Sequence, residues 1–393
     1  MSSRLNLQAL NTLLLLLSGV IANSAIVPFM GVFIVETLGK PPLMISVYAV
    51  ITMVLTLGVN RTYGAWIDEG ARVAPLILTS ILAFGTGVLV ILLAPGYWVL
   101  VCIASPCFAV SNGAVSAMYS FGRLRAEAMG LDVPRYNSYL RAITSLGWMI
   151  GPATSFILAG AFGPFAVFRC ALALCGLWLL FWWVVMPKGF RSAASTQRPK
   201  TEPSGRNTGM LLAALVCTAI ATAHVMSMSA LPLYFIREAG LPTFAPGLSL
   251  SIKTGVEIVA IISTPWIMAR FGARNALRFA AALAVVTFAV LSEVTTVTGL
   301  VIGSALEGLY YGVFAAVGLI FVQDFAKDRL GAATSLYMNS LFLGGILAVP
   351  LMGMAAQFIS FGMAIKLSAF WAICAFAILT MMRVERVAGP RAA

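Results

Sequence analysis

Long apolar runs alternate with short polar breaks along almost the whole chain. A helix that crosses a bilayer needs about 20 mostly apolar residues, and each run is about that long. The first run continues past Pro28 to Val35, which is too long for a cleaved signal peptide, so we interpret it as a membrane span. The pattern predicts twelve membrane helices, near residues 9–35, 43–66, 73–94, 97–121, 138–160, 164–186, 209–236, 244–269, 276–296, 299–322, 331–358 and 363–382.

The composition changes the picture only by excluding other classes of protein. The 393 residues are 61% hydrophobic and 10% charged, against roughly 25% charged in soluble domains. So few charges cannot cover that much apolar surface, which excludes a water-soluble protein. The chain has one histidine and no CxxC pair, and its six cysteines lie in apolar runs. We therefore expect no metal site and no bound cofactor.

The basic residues lie mostly on one side of the predicted helices. If the N-terminus is cytoplasmic, 20 of the 25 Lys and Arg residues fall on the cytoplasmic side. Lys40, Arg169, Arg237 and Lys366 fall outside, and Lys253 lies within a span. This distribution follows the positive-inside rule and predicts that both termini are cytoplasmic. It also explains the net charge of +12 without any nucleic acid partner.

The chain divides into two similar halves. Its longest polar stretch is rich in Ser, Pro, Lys and Arg, as is typical of a flexible linker. We expect an N-terminal six-helix bundle over 1–187, a cytoplasmic linker over 188–208 and a C-terminal six-helix bundle over 209–393. The predicted fold is therefore an all-α membrane protein of two pseudo-symmetric bundles with a transport site between them. Tyr139, Gly147 and Pro152 recur 198 residues later as Tyr337, Gly345 and Pro350, and Pro28 recurs 204 residues later as Pro232.

Charged and titratable residues inside the spans are candidate functional groups, because each is costly in lipid. Lys253 and Glu257 are four residues apart on one face of the eighth span, either as a structural ion pair or with a carboxyl that exchanges protons. Glu307 in the tenth span could bind substrate hydroxyls, carry a proton or pair with Lys253. His224 in the seventh span could bond a neighbouring hydroxyl or shuttle protons.

The fifth span carries the most informative polar residues. Arg141 and Trp148 are seven residues apart, which places them on one helix face about 10 Å apart along the axis. An arginine fork can bind hydroxyl oxygens and an indole can stack on a sugar ring, but Arg141 could equally reach the membrane surface while Trp148 packs between helices. Gly147, Gly151 and Pro152 on the same helix favour close helix contact and local bending.

Other polar residues allow two interpretations each. Asn23, Asn112 and Asn339 could line a cavity or form interhelical hydrogen bonds. Asp68 and Arg72, in the loop between the second and third spans, could latch one conformational state, although an ordinary basic loop explains them as well.

Together these residues resemble the major facilitator superfamily. The 6+6 arrangement and the paired 2–3 and 8–9 loops are similar to that superfamily, and Gly147 to Pro152 resembles the fifth-span motif of its proton antiporters. More closely, the chain resembles the bacterial sugar efflux transporter family over nearly its whole length. The matching stretches are Leu140-Arg-Ala, Trp148-Met-Ile-Gly-Pro152, Gly255-Val-Glu257-Ile, Arg270-Phe-Gly-Ala-Arg274, Phe321-Val-Gln-Asp324, Arg329-Leu-Gly-Ala-Ala-Thr334 and Asn339-Ser340.

The resemblance implies a transporter, not an enzyme, that exports sugars or glycosides across the bacterial inner membrane in exchange for protons. A multidrug/proton antiporter of the same superfamily is the alternative. The expected partners are the sugar, protons and the lipid bilayer, and a 6+6 chain completes its pathway as a monomer. The loops depart from the superfamily pattern at Glu69, where a basic residue is usual, and at Ala269, where an acid is usual.

The resemblance also assigns roles to the candidate residues. The Arg141–Trp148 spacing is similar to that of lactose permease, where the equivalent residues bind the galactoside, and Glu257 stands where that permease keeps a carboxylate. We therefore expect Glu257 to carry the proton. The expected substrate contacts are Arg141, Trp148, Asn23, Asn112, Glu307 and Asn339; the proton-coupling residues are Glu257, Lys253 and His224; the gating or hinge residues are Asp68, Arg72, Gly147, Gly151, Pro152, Asp324 and Arg329.

Overall fold

The computed structural model describes residues 7–131, 133–186, 208–325 and 330–382, and these residues form long apolar helices. The predicted linker at 188–208 lies outside the described residues except for Thr208, where a helix begins. The helices are α1 (Leu7–Ile26), α2 (Leu43–Asp68), α3 (Val73–Leu93), α4 (Ser105–Ala128), α5 (Val133–Phe162), α6 (Pro164–Val185), α7 (Thr208–Leu233), α8 and α9 (together Ala245–Leu291), α10 (Val297–Gln323), α11 (Leu330–Phe358) and α12 (Phe361–Met381).

Helices α8 and α9 form one run of 47 residues that cannot be a single membrane crossing. At 1.5 Å per residue it would be about 70 Å long, more than twice the thickness of the hydrocarbon core. The run is broken at Gly272, whose φ of 73° and ψ of 163° are not helical. Such a φ suits glycine, which has no Cβ. The described part of the chain contains eleven helices of crossing length. We divide the longest of them at Gly272, into α8 over 245–271 and α9 over 273–291.

The helix ends differ from prediction mainly around α4 and α5. Helix α4 continues to Ala128 rather than ending near 121, and α5 begins at Val133 rather than near 138. The extra turns are polar, so apolar patterning alone cannot detect them. Arg123 and Glu127 form an i,i+4 ion pair of 3.0 Å on the added part of α4.

The two halves repeat the same helix packing. In the first half α1 packs on α5 and α6, and in the second α7 packs on α11 and α12. Both α1 and α7 lead into a five-residue π-helical turn, Phe33–Thr37 and Tyr234–Glu238, followed by a glycine of positive φ. These turns are 201 residues apart. The pairing of Pro28 with Pro232, at 204 residues, is therefore out of register by about one helical turn.

The beginnings of α1 and α7 and the ends of α6 and α12 lie on one face of the molecule, which we call the terminal side, and the turns that follow α1 and α7 lie on the distal side. Contacts between the halves join α5 to α8 and α2 to α11. The Ser251 hydroxyl donates to the Met149 carbonyl at 2.8 Å, and the Ser46 hydroxyl donates to the Val349 carbonyl at 2.7 Å. Met149 lies near the middle of α5, and Ser46, Ser251 and Val349 lie in the distal parts of their helices. The halves are therefore in contact from mid-helix to the distal side.

Candidate functional site

Four titratable side chains come together inside the second half, between α7, α8 and α10. Lys253 and Glu257 lie on successive turns of α8, with Lys253 Nζ 2.7 Å from Glu257 Oε2. Their side chains are only 8% and 15% exposed. The ion pair that the i,i+4 spacing predicts is therefore present, and it is buried.

The other two members are Glu307 on α10 and His224 on α7. The Nδ1 atom of His224 lies 3.6 Å from Glu307 Oε1 and 3.0 Å from the Tyr310 hydroxyl. Both side chains are almost fully buried. His224 therefore makes the hydroxyl contact that sequence suggested and also adjoins a carboxyl on another helix.

Tyr311 joins the two pairs into one cluster. Its ring stacks on the imidazole of His224, with centroids 3.7 Å apart and 18° between the planes. The ammonium of Lys253 lies 4.2 Å from the centroid of the same ring, in cation–π contact. We call His224, Lys253, Glu257, Glu307 and the Tyr310–Tyr311 pair the buried charge cluster.

Two glycines on α10 allow the helices of the cluster to approach. A Cβ atom on Gly308 would lie 2.2 Å from the Lys253 carbonyl oxygen, and one on Gly312 would lie 2.8 Å from the Glu257 carbonyl oxygen. Small residues four apart let helix backbones meet directly in membranes. Our sequence reasoning missed this contact, although the Gly308-xxx-Gly312 spacing was a visible signal.

Arg141 lies between the two halves. It lies close enough to Tyr119 on α4 and Tyr337 on α11, one from each half, for its charge to act on both phenols. The side chain is exposed, and among the described residues no acidic oxygen lies within ion-pair distance of it. Trp148, two turns along α5, is half-buried and packs on the apolar core. The guanidinium is thus available at the boundary between the halves.

The three asparagines differ in their surroundings. Asn23 donates to the Gly19 carbonyl at 2.9 Å and accepts from the Ser111 hydroxyl at 3.1 Å. Asn112 donates to the Thr56 hydroxyl at 3.2 Å. Asn23 and Asn112 thus make the interhelical hydrogen bonds that we gave as one of their alternatives, while Asn339 is exposed on α11.

The Gly147–Pro152 motif contacts two other helices, α1 and α8. A Cβ on Gly147 would lie 2.5 Å from Val20 Cγ1, and one on Gly151 would lie 2.1 Å from Ser24 Oγ, so both glycines press α5 against α1. The carbonyl oxygen of Pro152 would lie 3.0 Å from a Cβ on Gly247 of α8. Helix α5 continues through Pro152. The motif therefore lies where α5 contacts its own half and the other half.

The loop residues on the terminal side are mostly separate from this site. Arg72 and Asp324 are exposed, Arg329 lies outside the described residues, and so does the side chain of Asp68. In the 8–9 turn, Arg274 donates to the carbonyls of Leu379 at 2.9 Å, Thr380 at 3.2 Å and Met382. This arginine binds the C-terminal carbonyls of α12, which favour a cation, and spacing alone did not reveal that contact.

Comparison with known proteins identifies related chains along nearly the full length. A family model described as the Major Facilitator Superfamily matches residues 12–292. The chain is 27% identical over 368 residues to Sugar efflux transporter A of Dickeya chrysanthemi, covering 91% of this chain and 92% of that protein. It is 25% identical over 369 residues to Sugar efflux transporter A of Escherichia coli, covering 93% of each. The crystal structure of the nucleoside transporter NupG has the same fold, with a TM-score of 0.79 at 14% identity, covering 97% of this chain and 100% of that one.

Proposed function

The chain belongs to the major facilitator superfamily, and we propose that it exports sugars or glycosides across the bacterial inner membrane in exchange for protons, as a monomer with both termini in the cytoplasm. Membership in this family makes the protein a membrane transporter rather than an enzyme. The proposed substrate class is supported by relatives named sugar efflux transporters, which match more than nine-tenths of the chain. The distal side would then be the external side.

The buried charge cluster is the observation that carries proton coupling. It contains two carboxyl groups, one ammonium and one imidazole in a nearly closed space. Lys253 compensates one carboxylate, and a second uncompensated buried charge would cost several kcal/mol. While Glu257 is ionised, Glu307 therefore keeps a proton or shares one with His224.

Glu257 is the proposed carrier because it is the more accessible carboxyl. Its side chain is 15% exposed, against 2% for Glu307. When Glu257 is ionised, Lys253 pairs with it, as in this structure with its distal side closed. Once the distal side opens, protonation of Glu257 from the external side removes the charge that pairs with Lys253, and the loss of this ion pair changes the relative stability of the two conformations.

Sugar binding is assigned to the boundary between the halves. The Arg141 guanidinium can donate two parallel hydrogen bonds to neighbouring hydroxyls, and the Trp148 indole can cover the apolar face of a sugar ring. Both residues lie on α5, which contacts α8 next to the cluster through Met149 and Ser251. A sugar bound there would therefore influence the same helix that carries Lys253 and Glu257.

The direct test uses inside-out vesicles that contain the purified protein. With an acidic lumen, labelled lactose or glucose should accumulate, and a protonophore should abolish the accumulation. Movement of a lipophilic cation dye without movement of either sugar would replace the proposal by drug export. Sugar accumulation that is indifferent to the protonophore would retain the substrate class and refute proton coupling.

A further inference from the structure

A charged pair joins the two halves at the distal side. Arg237, in the π-helical turn after α7, donates from Nε to the Oε1 atom of Glu36, in the π-helical turn after α1. The two residues belong to different halves and are 201 residues apart. Their side chains are 43% and 35% exposed, so the pair borders solvent at the closed end of the molecule.

The two positions are structural equivalents. Leu38 N donates to Phe33 O in the first turn, and Ala239 N donates to Tyr234 O in the second, again 201 residues apart. Gly39 and Gly240, at the same offset, have φ values of 61° and 63°. Because equivalent residues of the two halves contact each other, the pseudo-two-fold axis passes between Glu36 and Arg237.

Among the described residues, Glu36 is the only acid within ion-pair distance of this arginine. The adjacent acid, Glu238, accepts hydrogen bonds from the backbone N–H groups of Phe361 at 2.6 Å and Gly362 at 2.8 Å, at the start of α12. A carboxylate in that position stabilises the helix N-terminus. Arg237 is thus directed across the axis to Glu36 rather than to its neighbour in sequence.

We propose that Glu36 and Arg237 form the external gate of the transport pathway: an ion pair on the axis that holds the distal side closed and separates when that side opens. The pathway of a two-bundle transporter runs along the axis between the halves, so contact across the axis at one end closes that end. The inference rests on the proposed function in one respect, the assignment of the distal side as the external side. The gate itself concerns the opening of the distal side, whatever the cargo.

The test measures opening at a buried site remote from the charges. Ser46 is 4% exposed and bonds across the halves to Val349, so a cysteine there reacts with a polar maleimide only when the distal side opens. In a Ser46→Cys, Cys102→Ser background, labelling is followed by peptide mass spectrometry. Glu36→Gln and Arg237→Gln are expected to raise the labelling rate about two- to fivefold, as for loss of an exposed ion pair.

Two further variants make the test specific to the gate. The exchange Glu36→Arg with Arg237→Glu should restore slow labelling, because the pair is re-formed with reversed charges. Glu293→Gln removes the 2.6 Å ion pair with Lys366, which lies on the distal side but within one half, and should leave labelling unchanged. High salt should raise the labelling of the parent toward that of the single variants.

Unchanged labelling in both single variants, or fast labelling that persists in the exchange variant, would overturn the gate. The labelling result does not depend on sugar accumulation. Failure of vesicles to accumulate any sugar would overturn the proposed function while leaving the gate standing, and the two failures are therefore distinguishable.

Discussion

Lys253 is stabilised by two groups of different chemistry. Its ammonium pairs with the Glu257 carboxylate and rests against the ring of Tyr311. Both contacts are buried, so removal of one charge exposes the other to the full cost of an unpaired ion in the interior. Replacing one partner should therefore destabilise the protein more than replacing both. Single and double substitutions can test this difference.

Lys253→Met is expected to lower stability by about 3–5 kcal/mol unless Glu257 takes up a proton, because it leaves that carboxylate uncompensated. The double variant Lys253→Met with Glu257→Gln should regain most of this loss. Thermal unfolding in detergent at pH 8, followed by tryptophan fluorescence, provides the comparison. Additive losses in the double variant would contradict a buried ion pair.

Glu257→Gln should abolish sugar accumulation driven by a pH gradient while leaving sugar binding partly intact, because the carrier of the proton is removed but Arg141 and Trp148 remain. Binding is measured at equilibrium with labelled sugar and transport through vesicle accumulation. Gradient-driven export at the parent rate would transfer the carrier role away from Glu257.

Arg141→Lys should weaken sugar binding about tenfold or more, because an ammonium cannot donate the two parallel hydrogen bonds of a guanidinium. Arg123→Lys is the matched control, since Arg123 is exposed and pairs with Glu127 on its own helix. Equilibrium binding with labelled sugar gives both affinities. Parent affinity in Arg141→Lys would rule out a direct contact.

At the scale of elements, the contact between α8 and α10 depends on the backbone as much as on the charges. Gly308 brings α10 against the carbonyl of Lys253. The glycine and the buried lysine therefore lie at the same depth along the bundle axis. Gly255 on α8, in contrast, makes no close contact: no atom lies within 4 Å of the position that a Cβ would take.

Gly308→Ala should therefore destabilise the protein by about 1–3 kcal/mol, as expected for overpacking against atoms that cannot move aside. Gly255→Ala should be neutral or stabilising, because alanine favours the helical state by up to about 1 kcal/mol. Melting temperatures in the same detergent compare the two variants. Equal melting temperatures would show that the α8–α10 contact is looser than the structure indicates.

Sequence predicted what depends on a single helix and missed what depends on several. The apolar runs located the spans, and i,i+4 spacing predicted the Lys253–Glu257 pair. The approach of Glu307 to His224 depends on how α7 and α10 pack, which no spacing within either helix encodes. Likewise, Arg274 had to be placed beside the end of α12 before its partners could be known. The sugar and gating roles of Arg141 and Asp68 remain predictions.

At the scale of the whole molecule, transport requires that the distal contacts between the halves break in every cycle. Gly160 on α5 and Thr243 before α8 meet across this boundary, where a Cβ on Gly160 would lie 3.2 Å from Thr243 Cβ. Both residues are exposed. This spacing is close to the range in which two cysteines can be bridged.

Gly160→Cys with Thr243→Cys should form a disulfide on mild oxidation and lose transport, and dithiothreitol should restore it. Peptide mapping confirms the bond, and Gly160→Cys alone, oxidised in the same way, controls for the cysteines already present. Full transport by the cross-linked protein would mean that the halves do not separate on the distal side.

Equivalent residues of the two distal turns meet at the pseudo-two-fold axis, which limits the pairs of side chains that can attract each other there. A residue on a two-fold axis between identical copies faces itself, so any charge placed there repels its own image. An attractive acid–base contact on the axis can form only in a chain whose two halves carry different residues at that position. Glu36 and Arg237 are such a contact, and they make the closed end of this molecule a property of the covalently joined pair rather than of either half.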